Sequence, residues 1–534
     1  LMYARGYIAD HPPAFGDLPM TLLAAPALLA PCVLLLAAAL AATRPGRRPG
    51  ALPRWSEYAA LAALALTALG LVQFLIAGSA PTSMLGLRID LVSLTLALLV
   101  SFIGWIVMRY SRTYLDGEAR EGSFHGLMLA TLAAVLLFVQ SGNLWLLAGA
   151  TLAAGLGLKR LLLFYPERPE ARRAAAKFAL VWHGGDAALL LAAACLVSAF
   201  GTADLAALTA TATETGLGAV GHLGVALIVT AAVLKTACVP LHGWLTEVME
   251  APTPVSALLH AGIINSGGVL LIAAAGLVQL SPGAMAALVM IGGLTALFGA
   301  TVMLTQSAIK TSLAWSTVSQ MGFMLLQCGL GLWALALLHI VAHALYKAHA
   351  FLSSGGAVAA VAAIRRPGAV AVPRLAAVLK SFALALALYA AIAMLFTALL
   401  GPKTAQALAL GAILIFGVAY LVAQGLADSA PADLTKRTGL ASFAAAVAYF
   451  SFQAVAEALW GPGLPGAPVP GPLEWALILL ALVSFGAVAL AQALFPLWSH
   501  HPATAGLRVH LANGLYLNAL LDRAIGGFRS PASR

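Results

Sequence analysis

The sequence predicts an all-α polytopic membrane protein, and three observations carry that expectation. Hydrophobic residues make up 62% of the 534-residue chain, charged residues only 9%, and the mean hydropathy is +0.96. That much apolar surface outruns what a single soluble core can bury, which excludes a soluble globular protein. The apolar residues also fall into runs: a spanning helix needs about 20 of them, and that length marks roughly 14 or 15 segments.

In order, the segments run approximately over 20–42, 57–78, 90–110, 123–140, 143–163, 177–199, 217–240, 255–280, 284–305, 311–330, 333–362, 376–400, 404–426, 438–460 and 472–496. The first is long and is followed by Arg44, Arg47 and Arg48 rather than a small-residue cleavage site, so it reads as a retained helix and not a signal peptide. The chain starts at Leu1, which leaves the true start open. Basic residues gather after the odd-numbered segments: Arg44, Arg47, Arg48 and Arg54, then Arg109, Arg112 and Arg120, then Arg160, Arg168, Arg172, Arg173 and Lys177, with Arg365, Arg366, Arg374, Lys436 and Arg437 further on. Loops after even-numbered segments hold little beyond Arg88 and Lys403. By the positive-inside rule the odd segments end in the cytoplasm and the amino terminus lies outside, in the inner membrane of the cell. The net charge of +10 follows from this topology and does not require a nucleic-acid partner; the partner it implies is membrane lipid.

Cys32, Cys195, Cys238 and Cys328 stand singly in apolar segments without metal-ligand or CxxC spacing, so neither a disulfide nor a metal site is expected. No Gly-rich phosphate loop or haem motif interrupts the helices, and no cofactor is expected.

Within this apolar chain the titratable groups are few and concentrated. Lys235 lies in "GVALIVTAAVLKTACVPLHGWL", just ahead of Pro240. A charge at membrane depth costs a few kcal/mol at least and is retained where it is paired or sits in a polar cavity, so Lys235 is a functional-site candidate. His260 follows in the next segment, and His339, His343 and Lys347 lie four apart in "LLHIVAHALYKAHAFL", on one face of one helix. The alternative for each histidine is a packed residue bonded to a backbone carbonyl, and for Lys235 a cap on carbonyls freed by Pro240. Lys310, beside the start of a segment, reads equally as a relay exit or a snorkelling charge. Glu247 and Glu250 either pair with Lys235 or cap a cytoplasmic end, and His242, His500 and His501 read as interfacial.

Three motifs in fixed order, "LKTACVPLHGWLTEVMEAPTPVSALLHAG", "QSAIKTSLAWSTVSQMGFM" and "HIVAHALYKAHAFLSSG", resemble the antiporter-like subunits of respiratory NADH:quinone oxidoreductase and of multisubunit cation/proton antiporters. "FIGWIVMRYSRTYLDGE", "RLLLFYPERPEARRAAAKF", "GAILIFGVAYLVAQGLAD" and "VHLANGLYLNALLDR" are similar to one branch, the DabB-like membrane subunits of DAB-type inorganic-carbon transporters. The resemblance implies two inverted five-helix repeats with broken helices, here 123–280 and 281–430, between amino-terminal helices over 1–122 and carboxy-terminal helices with a tail over 431–534. It implies a proton path through Lys235, His260, His339, His343 and Lys347, with Glu247 and Lys310 as further members. It also implies a transporter subunit rather than an enzyme, working with a zinc-containing, carbonic-anhydrase-like cytoplasmic partner (DabA-like) that converts carbon dioxide to bicarbonate.

The sequence departs from the respiratory pattern in three places. Where those subunits carry a glutamate on the fifth segment, an ungapped comparison puts Leu152; the sixth segment reads His183, Gly184, Gly185, Asp186; and "TAQALALGAILIFGVAYLVAQG" has no lysine. Lys159, Asp186, Glu247 and Glu250 are the candidate replacements for the missing carboxylate and its partners. Two alternatives stay open: a proton-pumping subunit of an NADH:quinone oxidoreductase, against which stands the lack of a long lateral helix after "LANGLYLNALLDR", and a non-conducting scaffold of the same fold.

Overall fold

A computed structural model describes residues 25–78, 81–356, 375–425, 432–498 and 501–524. The helices begin with α1 (Ala30–Ala42), α2 (Leu52–Ala77), α3 (Leu91–Tyr114), α4 (Glu121–Val139), α5 (Leu144–Leu162), α6 (Pro169–Phe200), the short α7 (Leu205–Thr215) and α8 (Gly218–Lys235). After a break come α9 (Gly243–Thr246), α10 (Thr253–Ala261), α11 (Ser266–Ala273) and α12 (Ala275–Gln279). The chain continues through α13 (Pro282–Met303), α14 (Ile309–Gly329), α15 (Trp333–Leu352), α16 (Leu375–Leu400), α17 (Ala405–Gly425), α18 (Ala432–Trp460), α19 (Pro472–Trp498), α20 (Pro502–Ala512) and α21 (Leu517–Ala524).

Among the described residues twelve helices are long and apolar enough to cross a membrane, and Pro26–Ala42 and Ala405–Gly417 are shorter apolar stretches. The tenth expected segment, α14, is helical but is not one of the twelve; Ser312, Ser316, Thr317, Ser319, Gln320 and Gln327 make it more polar, and two of these serve the site described below. The side chains that face outward are those a lipid solvent tolerates, among them Leu36, Ile76, Leu399 and Val483. Two small elements had no signal in the apolar pattern: α7, and a hairpin pairing Thr82–Met84 with Leu87–Ile89. The hairpin leads into α3, where Asp90 and Ser93 form a reciprocal cap.

Two interruptions prepare the interior. Helix α8 stops at Lys235, and the chain to α9 contains Pro240, which cannot donate to a helix, and Ala237 at a positive φ of 51°. Side chains meet the freed groups: Thr236 Oγ1 donates to the Ala232 carbonyl at 2.7 Å, and Val239 N–H donates to Thr295 Oγ1 at 3.2 Å. The second interruption separates α10 from α11 at Gly262, where Asn265 Nδ2 donates to Ala261 O at 2.8 Å and Ser266 Oγ to Ile263 O at 2.6 Å. α17, the corresponding part of the second expected repeat, runs without a break. In the eleventh segment, expected over 333–362, helix α15 ends at Leu352, and residues 357–362 lie outside the described residues.

Candidate proton-path site

Lys235 is fully buried at the carboxy-terminal end of α8. Its Nζ donates to Asp186 Oδ1 at 2.5 Å and lies 4.1 Å from the centroid of the Trp182 ring. Asp186, on α6, is held from two more sides. Thr151 Oγ1 of α5 lies 3.2 Å from Oδ1, and Nδ1 of His183, one turn earlier on α6, lies 2.9 Å from Oδ2. Gly185 is why the two helices come together here, since a Cβ at that position would lie 3.3 Å from Lys235 Cγ. His183 is partly exposed, with 30% of its side chain accessible against 4% for Asp186. An ordered row therefore runs from an accessible imidazole through a buried carboxylate to a buried ammonium.

A second cluster lies where α10, α14 and α15 meet. His260 is fully buried, its ring stacked on Phe351 at 4.2 Å between centroids, and its Nδ1 is 3.1 Å from Thr317 Oγ1. Thr317 Oγ1 donates to the Leu313 carbonyl at 3.0 Å, and Lys347 Nζ donates to that same carbonyl at 3.0 Å. His260 and Lys347 are thus joined through one hydroxyl and one carbonyl of α14. His343 lies one turn before Lys347, and its ring centroid is 6.0 Å from that of His339, whose Nδ1 is 2.8 Å from Gln327 Oε1. Both ring nitrogens of His343 and Nε2 of His260 are buried without a partner among the described residues. The expected shared face of His339, His343 and Lys347 is present, and Thr317 and Gln327 complete it.

Glu247 does not reach Lys235. Its Oε1 accepts from Lys177 Nζ at 2.7 Å and from Asn518 Nδ2, while Arg173 Nε lies 3.7 Å from Oε2. Lys177 is itself buried, 2.6 Å from Asp522 Oδ1 and 2.9 Å from Asn518 Oδ1. Its head group therefore ties α6 to the chain after α9 and to α21. Glu250 pairs with Arg168 at 3.0 Å. Neither glutamate replaces the missing carboxylate, because nearer cations from the amino-terminal end of α6 take both. The carboxylate that meets Lys235 is Asp186, with Thr151, the neighbour of Leu152, beside it. Lys159 is half-buried near the end of α5, and Lys310 is half-buried at the start of α14, one turn before Leu313.

His242 corrects a second expectation. It is 1% exposed, not interfacial, with Trp315 at 4.8 Å and Phe298 at 6.0 Å between ring centroids. The fold-back after Pro240 turns this histidine inward. His501 is exposed and caps α20 through Nδ1, which accepts from Ala503 N–H; His500 lies outside the described residues.

The family described as the transmembrane region of NADH:quinone oxidoreductase and Mrp antiporters matches residues 141–427, over half of the chain and all of the site above. The chain belongs to that family. The amino-terminal family of complex I chain 5 matches residues 76–125. Within this family the chain is similar to the probable inorganic carbon transporter subunit DabB2 of Halothiobacillus neapolitanus, 43% identical over 61% of this chain and 62% of the relative. The corresponding DabB subunit of Hydrogenovibrio crunogenus is 44% identical over 50% of this chain and 52% of the relative. NADH-quinone oxidoreductase subunit L of Mycobacterium tuberculosis is 37% identical over 52% of this chain and 44% of the relative. The aligned part thus spans between 44% and 62% of the length of these relatives. The fold is shared with the Mrp complex of Dietzia sp. DQ12-45-1b, with a TM-score of 0.60, 23% identity and coverage of 94% of this chain and 59% of that one. It is shared too with an archaeal membrane-bound sulfane sulfur reductase, with a TM-score of 0.56, 17% identity and coverage of 92% and 99%.

Proposed function

We propose that this chain is the proton-conducting membrane subunit of an energy-coupled inorganic-carbon uptake complex in the inner membrane. The observation that carries the reading is the buried Lys235–Asp186 pair at a helix break, with the partly exposed His183 beside it. An ion pair in an apolar bundle is expensive, and its members are suited to exchanging a proton. The carboxylate favours the ammonium form of Lys235, and burial disfavours it, so a change in their separation takes up or releases a proton. In this reading the proton continues through His260, Thr317, His343 and Lys347. Water completes the steps at ring nitrogens that lack a partner among the described residues, because such atoms are costly to leave unsatisfied. His339 and Gln327 form one end of this second row, and Lys310 stands near the other.

The similarity to DabB subunits supports inorganic carbon as the species whose uptake is driven. The coupled chemistry then belongs to a zinc-containing, carbonic-anhydrase-like partner on the cytoplasmic face, the side assigned by the arginine-rich loops. One proton moving down 100 mV releases about 2.3 kcal/mol. That biases carbon dioxide hydration roughly fiftyfold toward bicarbonate. The two expected repeats, 123–280 and 281–430, are then unequal halves: the first holds the broken helices and the paired lysine, the second the histidine row.

Two measurements test this reading. A tagged chain purified in mild detergent should retain a zinc protein, and bicarbonate accumulation in cells should collapse with a protonophore. Co-purification of flavin and iron–sulfur subunits would assign the chain to a redox complex. Accumulation that survives the protonophore and follows a sodium gradient would overturn the ion assignment.

A further inference from the structure

A cavity of about 640 Å³ lies among the carboxy-terminal end of α1, the first turns of α4 and the end of α5. Its wall is made of small and apolar side chains, Ala38, Gly126, Leu127 and Ala130, and Arg120 and Arg160 line it as well. Both arginines and Ala42 are exposed, so the cavity opens outward where the three helices end. It is separate from the Lys235 site, sharing no residue with it.

The arginines differ in what they already hold. Nη2 of Arg120 donates to the Leu163 carbonyl at 3.0 Å and to that of Phe164, and its guanidinium lies 5.1 Å from the Phe164 ring centroid. That fixes the group in place and leaves its remaining N–H donors free. Arg160 forms no hydrogen bond or ion pair with the described residues. Two nearby carboxylates are engaged elsewhere: Glu121 accepts from the backbone N–H groups of Arg48 and Gly117, and Glu118 accepts from the Tyr165 hydroxyl. The loop after α1 adds positive charge. Its Pro45 carbonyl accepts from both the N–H and the hydroxyl of Ser123 in the cavity wall, which holds Arg44 and Arg47 close by.

We infer that this cavity is a binding site for a phospholipid with an anionic headgroup. The phosphate would sit between Arg120 and Arg160, and the first methylenes of an acyl chain would lie along Ala38, Gly126 and Ala130. Both halves of the ligand are needed to explain the site. Two arginines without carboxylate partners among the described residues ask for an anion, and an apolar wall along the last turn of α1 and the first turns of α4 asks for hydrocarbon. A soluble anion would use only the first half.

The test uses the full chain in mild detergent, delipidated, with binding read by native mass spectrometry. Phosphatidylglycerol, phosphatidylcholine of matched chains and inorganic phosphate are the three probes. Phosphatidylglycerol should bind in preference to phosphatidylcholine, and Arg160→Gln should weaken it roughly fivefold, the effect of one interfacial charge. Arg172→Gln, an exposed arginine outside the cavity, should leave binding unchanged. Ala130→Trp keeps both arginines and should still abolish the adduct by filling the wall, so the inference does not depend on one variant folding. Equal retention of the two lipids, an Arg160→Gln protein that binds as well as the parent, or an equal loss in Arg172→Gln would overturn it. Competition by phosphate at the same concentration as the lipid would make this a free-anion site and also overturn it.

Discussion

His343 is buried, has no partner for either ring nitrogen among the described residues, and stands between His339 and Lys347, so its replacement bears most directly on the proton path. His343→Gln retains a polar, hydrogen-bonding side chain but cannot titrate. If the row carries protons, His343→Gln and His343→Ala should both reduce bicarbonate uptake at least about tenfold while the melting temperature of the glutamine variant stays near the parent's. His501→Ala, at an exposed cap, should leave uptake unchanged. Full uptake in His343→Gln would make the residue a packing histidine. Asp186→Asn gives a second residue-scale expectation: it leaves Lys235 buried beside a neutral partner, so uptake should fall and stability should drop by about 3 kcal/mol, measured by denaturation in detergent. Lys235, His260, His339, His343 and Lys347 were all legible in the sequence, since a titratable group inside an apolar run stands out by its cost. Asp186 was legible only as one of four candidates. An ungapped comparison points to the fifth segment for the carboxylate, whereas α6 places Asp186 against Lys235 beside Gly185. Lys177 was hidden for a different reason. It stands at the edge of an apolar run, where it counts as a loop charge, and its partners Glu247, Asn518 and Asp522 are distant in sequence and meet it only after folding.

Between elements, α13 and α14 pack through glycines rather than interlocking side chains. A Cβ on Gly329 would lie 2.6 Å from Val289 N, and one on Gly299 would lie 2.7 Å from Ser319 N. Small residues let helix backbones approach closely in a lipid environment, where apolar packing has no water to exclude. Gly329→Val should therefore separate the pair and lower stability by about 2–3 kcal/mol, read as loss of monodisperse protein on gel filtration. Wild-type behaviour would show that the helices have room to shift. The break after α8 was readable from Pro240, which cannot continue a helix; the one at Gly262 between α10 and α11 was not, because glycines also stand inside unbroken helices such as α13. Nor was the continuity of α17, because an apolar helix without proline gives no sign of where a relative would bend. The hairpin before α3 and the short α7 were also missed, being too short to register in an apolar window. A further element-scale expectation concerns α21. Asp522→Asn removes one of two carboxylates from buried Lys177 and should loosen α21, costing about 1–2 kcal/mol and raising protease sensitivity after residue 501. Unchanged proteolysis would mean that Glu247 and Asn518 hold the contact alone.

At the scale of the molecule, composition and segment length were enough for the fold class, because a bilayer dictates helices of a fixed minimum length whatever their packing. They could not rank the helices by role. The structure gives the ranking: α6 and α8 bring together Asp186 and Lys235, while α10, α14 and α15 bring together His260, Thr317, His343 and Lys347. In the proposed function Lys235 is the group through which proton movement is coupled to carbon uptake. A host lacking carbonic anhydrase, expressing this chain with its partner, should grow in air, and Lys235→Met should abolish both growth and bicarbonate accumulation while the complex still assembles at parental levels. Methionine matches the length of the lysine stem and removes only the titratable group. Growth in air equal to the parent's, with the Lys235→Met protein assembled, would contradict the account.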